Sequence, residues 1–217
     1  MSALSDYQDQ VVRLVHDSSN VFAGLPEINT YINEGRRKTA AICKCLRYLE
    51  TAASANLTAA QETYAITTVS SKTTRAIDVL NISVIWGNQR IPLLNWPWTA
   101  FNARLRVWTS YQGRPGVWSR QGMSIGTVYI GPVPDQTYSS EWDIAYLPVN
   151  LVDGTTVDEL VYPFTEPVAF YAAYLFKRKE QSYGEAEVFK NDFMQKCQFA
   201  CSAVFTRLLP NVYGSSV

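Results

Sequence analysis

The sequence predicts an α+β fold: a helical bundle formed by N- and C-terminal helices, with a central β-rich lobe inserted between them. Apolar residues recur at spacings of three and four near both ends of the 217-residue chain. Between residues 60 and 150 the pattern changes to alternation at period two, punctuated by turn pairs. The stretch Ser124 to Pro148 concentrates this change. Val128, Tyr129 and Ile130 suit a pleated surface, and Trp142, Ile144 and Tyr146 alternate with Asp143 and Ala145. Gly131-Pro132-Val133-Pro134-Asp135 between them cannot extend a ladder, because each proline lacks an N–H and fixes φ. It reads as strand, rigid turn, strand. The expected organisation is one integrated chain, with residues 1–58 and 160–209 as the bundle, 60–150 as the β-rich insertion and 210–217 as a C-terminal tail.

In chain order, Leu4, Tyr7, Val11, Leu14 and Val15 predict a first helix over Ser5 to Asp17. A second helix begins near Pro26, suited to a first turn, and runs towards Glu50. Its apolar face is interrupted by Gly35-Arg36-Arg37-Lys38. Such a run is ordinarily a solvated face. The sharper reading is a basic band facing a phosphate backbone or an acidic partner.

Thr51 to Thr74, rich in Ala, Ser and Thr, reads as a linker followed by a strand at Tyr64 to Val69. A hairpin follows, with Leu80, Ile82, Val84 and Trp86 on one face and Asn81 and Ser83 on the other. Gly87-Asn88 is its two-residue turn, and Gln89 to Leu94 returns. Pro92 makes that return an edge or a terminated strand. Trp98, Phe101, Leu105 and Trp108 predict a helix. The segment from Tyr111 to Gly122, with Arg114 and Arg120, has the composition of an irregular loop. After Pro148 comes a loop with Asp153-Gly154 and Asp158-Glu159. Thr165-Glu166-Pro167 opens a third long helix, which breaks at Ser182 to Gly184. Phe189, Phe193, Cys197, Ala200, Val204 and Leu208 carry the last helix, which stops at Pro210.

Composition narrows the function. Hydrophobic residues make up 47% of the chain and charged residues 18%, which describes a folded domain. Nineteen acidic and nineteen basic side chains cancel, so counterion release offers little grip on nucleic acid. There are 13 Tyr, 9 Phe and 6 Trp, a content suited to interfaces as well as cores. No run approaches the length of a bilayer span. Asp6 and Asp9 stand where a signal peptide carries basic residues, so synthesis in the cytoplasm is expected. The spacing of Cys43, Cys45, Cys197 and Cys201 is not that of a zinc knuckle, and four free buried thiols in a reducing compartment are expected.

The single histidine, His16, leaves little for nucleophilic catalysis. No Gly-x-Ser-x-Gly elbow, phosphate-binding Gly-x-x-x-x-Gly-Lys loop or Gly-x-Gly-x-x-Gly turn is present. His16 reads as a helix-end residue near carbonyls, and Asp153, Asp158 and Glu159 read as turn and helix-start chemistry more than Mg²⁺ ligands or an acid–base pair. No catalytic, metal or cofactor residue is therefore assigned.

Gly113-Arg-Pro-Gly-Val-Trp, Gly122, Tyr129-Ile-Gly-Pro-Val-Pro-Asp and Ala145-Tyr146-Leu147-Pro148 resemble the β-region of tailed-phage head-to-tail adaptor proteins, also called connectors or head-completion proteins. Leu160-Val-Tyr-Pro-Phe and Glu166-Pro-Val, leading into Ala172-Ala-Tyr, are similar to the start of that family's penultimate helix. The likeness is strongest over Gly113 to Phe176. It implies a structural virion protein at the neck: a homo-oligomeric ring, usually dodecameric, docked on the portal protein and joined to a tail or nozzle protein. Double-stranded DNA would pass through transiently and without specificity, with no membrane and no cofactor.

No family motif fixes the contact residues, and their expected roles follow from the reading above. The tail, with Leu209, Pro210, Asn211, Val212 and Tyr213, is expected to fold on the portal with Tyr213 as anchor. Gly87, Asn88, Tyr111, Arg114, Trp118 and Arg120 are expected to touch neighbouring subunits or the tail. Arg36, Arg37 and Lys38 are expected to face the lumen or the portal. The alternative is a carbohydrate- or receptor-binding virion module that stacks ligands on Trp86, Trp96, Trp98 and Trp118.

Overall fold

Helix α1, Leu4–Val15, forms because Leu4, Tyr7, Val11 and Val15 bury one stripe, while the Asp6 carboxylate accepts the Ala3 N–H at 3.0 Å. Helix α2, Leu25–Cys43, starts with Pro26 in its first turn. It ends sooner than the sequence suggests. Lys44 adopts φ 47° and its N–H returns to the Ala40 carbonyl at 2.8 Å, which closes the helix. Residues Arg47–Glu50 then form strand β1. The computed structural model describes residues 3–16, 24–70, 75–109, 111–120, 126–153 and 156–205.

Two compact units emerge, Met1–Leu46 with Leu147–Val217, and Arg47–Tyr146. In the first, α5 (Glu166–Lys179) touches α1, α2 and α6 (Tyr183–Phe205). Pro167 occupies the first turn of α5, and Lys177, Arg178 and Lys179 occupy its last turn, where cations offset the helix dipole. Buried Ala169, Ala172, Ala173, Ala186 and Ala200 keep the contact surfaces of α5 and α6 slim, with Phe176 and Phe193 among them. The described residues between 147 and 165 join the β-unit to α5 as irregular chain.

The second unit holds the β-structure. Strands β3 (Ala76–Trp86) and β4 (Gln89–Pro92) form the expected hairpin about Gly87-Asn88, with Gly87 at φ 60° and Pro92 on an edge strand. Together with β1 and β10 (Ser140–Tyr146) they make a sheet of order β1-β10-β3-β4. A second sheet has the order β2-β8-β7-β5, built from Thr63–Ala65, Thr127–Gly131, Val117–Arg120 and Leu94–Asn95. Gln112–Gly113 (β6) and Val133–Pro134 (β9) form a short parallel ladder. Trp118, Trp142, Ile82, Val84, Val128, Ile130 and Tyr138 share one core.

Five expectations are corrected here. The strands of Ser124 to Pro148 do not pair with each other: β8 joins β2 and β7, while β10 joins β1 and β3. The chain leaves β8 at Gly131, pairs Val133 and Pro134 with β6, and reaches β10 past an isolated bridge between Tyr138 and Leu57. Val79, not Leu80, points into the core beside Ile82 and Val84, because β3 gains a residue against β10 between Asp143 and Ile144. A bulge of this kind reverses the inside–outside phase. Thr51 to Ser70 is packed chain: Ala55 and Leu57 are fully buried, and the Ala55 carbonyl accepts from Trp142 Nε1 at 2.9 Å. Only Thr63–Ala65 is strand there; Ile66–Val69 makes one helical turn, α3. Finally, the segment after Tyr111 contains β7, because Val117 and Trp118 bury between neighbouring strands. Helix α4, Trp98–Thr109, lies where expected.

Candidate functional site

The three basic residues of α2 do not form one band. Successive residues on a helix diverge by ~100°, so three in a row cannot share a face. Arg36 continues the stripe of Ile28 and Ile32 and is 1% exposed. Its Nε donates to both Asp158 oxygens at 3.1 Å, and Nη2 pairs with Asp158 Oδ1. Nη1 donates to Asn33 Oδ1 at 3.0 Å and to the Val149 carbonyl at 2.6 Å. Tyr7 Oη adds a hydrogen bond to Asp158 at 2.7 Å. Asn33 accepts the Leu151 N–H at 2.8 Å and donates to the Leu151 carbonyl at 3.0 Å. The expectation that Arg36 faces outward is therefore corrected: burial and a full set of acceptors make it a clamp on residues 149–158.

Arg37 and Lys38 are exposed, beside an open groove of about 510 Å³ that Thr30, Glu34 and Leu147 also line. Arg37 donates to the Asn150 side-chain oxygen at 2.6 Å, a neutral acceptor. Asp153 accepts the Thr156 N–H at 2.8 Å, which is turn chemistry as the sequence indicates. Glu159 instead reaches back to accept the Val149 N–H at 2.9 Å, and Asp158 serves the buried clamp, which corrects the turn reading for those two. His16 caps α1 at φ 59°.

The expected contact residues of the β-unit divide into two groups. Gly87 and Asn88 are exposed at the tip of the β3–β4 hairpin, next to Trp86. The Arg114 guanidinium lies 5.9 Å from the Trp86 ring, and the Tyr138 ring lies tilted beside it at 5.6 Å. Tyr111 is 60% exposed, and its ring packs so near Gly113 that a Cβ there would sit 3.2 Å from it. Hairpin tip and Arg114 thus meet on one aromatic patch. Trp118 does not belong to it. Its ring is fully buried in the core shared by both sheets, so its expected role as a contact residue or a ligand platform is corrected. Arg120, on β7 of the second sheet, forms an ion pair with Asp78 on β3 of the first and keeps 33% of its side chain exposed. Trp98 packs on Phe101 and Tyr129 at 6.0 and 4.7 Å. Leu209, Pro210, Asn211, Val212 and Tyr213 lie outside the described residues.

The cysteines also differ from expectation. Cys43 and Cys201 form a disulfide between α2 and α6, with Cα atoms 5.5 Å apart. Cys197 and Cys201 are one helical turn apart and face the end of α2 together, which brings Cys201 within bridging range. Cys45 and Cys197 remain thiols, and burial pushes both up to about 11.

Sequence reasoning missed an exposed apolar stretch of the helical unit. Val149, Val152, Val157, Val161 and Tyr162 are exposed on the connection before α5. The signal was five large apolar side chains in a segment with neither helical nor alternating period.

With the geometry in place, comparison with known proteins is specific on one point. A family model described as SU10 adaptor protein matches residues 2–197. No curated protein matches the chain.

Proposed function

We propose a role for this chain from one premise: it belongs to the SU10 adaptor protein family, whose model spans residues 2–197. That match carries the conclusion. The chain is a structural subunit of a phage particle, placed at the neck between head and tail. Copies of it form a ring, a dodecamer in this reading, that docks on the portal protein, extends the DNA channel and offers the attachment platform for the tail or nozzle protein. Assembly takes place in the host cytoplasm. The balanced charge of 19 acidic and 19 basic residues supports a channel role. A ring multiplies every contact by its copy number, and a basic lumen would hold the passing duplex back.

Arg37 and Lys38 are the two cations of α2 that can face DNA or the portal, since Arg36 is engaged internally. Gly87, Asn88, Tyr111 and Arg114 supply an aromatic and cationic patch suited to a neighbouring subunit or the tail. Residues Leu209 to Tyr213 dock on the portal. Deleting residues 210–217 is expected to yield DNA-filled heads that lack tails, counted by negative-stain microscopy of infected-cell lysates. Normal tailed particles from that mutant would remove the tail assignment. Loss of the whole chain without any defect at the neck would remove the adaptor role.

A further inference from the structure

The adaptor role leaves the four cysteines unexplained, and all of them lie in the helical unit. Cys43 ends α2 and Cys201 stands on α6, so the disulfide between them joins two helices across 158 residues of chain. Cys197 lies one turn before Cys201, and Cys45 follows the end of α2. A disulfide is out of keeping with assembly in a reducing compartment unless it closes afterwards.

The two bonded sulfurs differ in access. Cys43 is 4% exposed, whereas Cys201 is half-buried and lines the open groove between α2 and α6. A small thiol or disulfide therefore meets the pair at Cys201, and exchange starts at the sulfur that can be reached. The other two cysteines compete poorly. Cys197 is 1% exposed, and burial pushes both Cys197 and Cys45 up to about 11, so neither supplies much thiolate at neutral pH.

The site suits both states of the pair. The Cys43 sulfur lies 3.6 Å from the Cys197 carbonyl oxygen. As a thiol, Cys43 donates its S–H to that carbonyl; as half of a disulfide, it bonds to Cys201 one turn further along the same helix. What differs is the hold on α6. Phe193, Cys197 and Ala200 bury its inner face at spacings of four and three. After Ala200 no described side chain is buried: Cys201 is half-buried, and Ser202 and Ala203 are exposed. Apolar packing holds the helix as far as Ala200, and the disulfide adds a covalent hold just beyond it. Helix ends with few buried contacts open at low free energy. The chain runs on from here to Leu209 and Tyr213, proposed above to dock on the portal.

We propose that Cys43 and Cys201 form a redox latch: a dithiol while the particle assembles, and a disulfide after release that pins the end of α6 to α2. The inference rests on the assembly reading above, since a chain built in a reducing compartment and then carried out of it meets both conditions. The oxidant is a low-molecular-weight disulfide. The Cys201 thiolate attacks one of its sulfurs and expels a first small thiolate. The Cys43 thiolate then attacks the Cys201 sulfur of the mixed disulfide and expels the second. Two electrons leave the protein, and the two cysteine protons end on two small thiols. Open, the latch lets the last turn of α6 and the segment after it find their partner; closed, it fixes them.

The full chain, purified in dithiothreitol and then exchanged into oxidised glutathione, tests the chemistry. Peptide mapping by mass spectrometry is expected to find residues 43 and 201 joined, with Cys45 and Cys197 still open to alkylation after denaturation. Any other pair, or a glutathione adduct that persists on Cys201, overturns the latch. Hydrogen exchange at residues 198–205 should slow by about tenfold or more on oxidation. Cys201→Ser, at a half-buried position, should exchange at the reduced rate in both buffers. A native chain that does not slow, or a Cys201→Ser chain that slows as the native one does, overturns the hold on α6. Timing is read on particles. Infected cells dissolved in denaturant with N-ethylmaleimide before lysis are expected to carry the label on Cys43 and Cys201, and released particles treated alike are expected to lack it. A bond already closed inside the cell, or still open in released particles, overturns the latch. Released particles that lack the chain altogether overturn the adaptor role instead.

Discussion

Arg36 has all three guanidinium nitrogens engaged and 1% of its surface in contact with water. A buried cation of this kind depends on its carboxylate, because an unpaired charge in the interior is far more costly than a lost hydrogen bond. Asp158→Ala is expected to lower unfolding free energy by about 3–5 kcal/mol. Tyr7→Phe removes one neutral donor to the same carboxylate and should cost about 1 kcal/mol. Urea denaturation at neutral pH compares the two, and equal losses would mean that Arg36 is not held by Asp158 as described. Half of this clamp was legible in the sequence. Ile28, Ile32 and Arg36 are four apart, so the buried stripe passes through the arginine. Its partner was not legible, since Asp158 is 122 residues away and nothing local marks a carboxylate that will be buried.

Helices were readable because their period is internal to each segment. The same α2 stripe and the proline at the start of α5 place both elements without tertiary information. Gly35 shows how they meet. A Cβ at that position would stand 2.9 Å from the Val168 carbonyl and 3.3 Å from Tyr171 Cβ on α5. Gly35→Ala gains about 1 kcal/mol of helix propensity in isolation. Overpacking at a helix contact costs about 1–3 kcal/mol. A net loss is expected, read as a lower thermal midpoint with the helical spectrum retained. A higher midpoint would mean that α2 and α5 have room between them. Strand order was much less legible. Period two says that a segment is a strand but not which strand it joins, so β8 and β10 looked like a hairpin. The bulge that puts Val79 inward in place of Leu80 depends on β10, more than sixty residues later.

At the scale of the chain, the β-unit is an insertion whose two ends are neighbours. Arg47, its first residue, pairs with Ala145 across an antiparallel ladder, one residue from its last, Tyr146. Paired residues of such a ladder have Cα atoms about 5 Å apart, so Leu46 and Leu147 leave the same corner of the sheet. The sequence suggested a border near residues 58–60. Strand β1 moves it to 46–47, because a four-residue edge strand has too short a pattern to be told from the end of a helix. The helical unit has its own buried set, including Leu4, Tyr7, Val11, Ile28, Ile32, Val168, Phe176 and Phe193, together with the Arg36–Asp158 clamp and the Cys43–Cys201 disulfide. Replacing residues 47–146 by Gly-Gly-Ser-Gly therefore spans a short gap. The shortened chain is expected to keep a strongly helical far-UV spectrum and a single cooperative melt, by circular dichroism. A helical spectrum that fades without a cooperative transition would show that the helices rely on the β-unit for their packing.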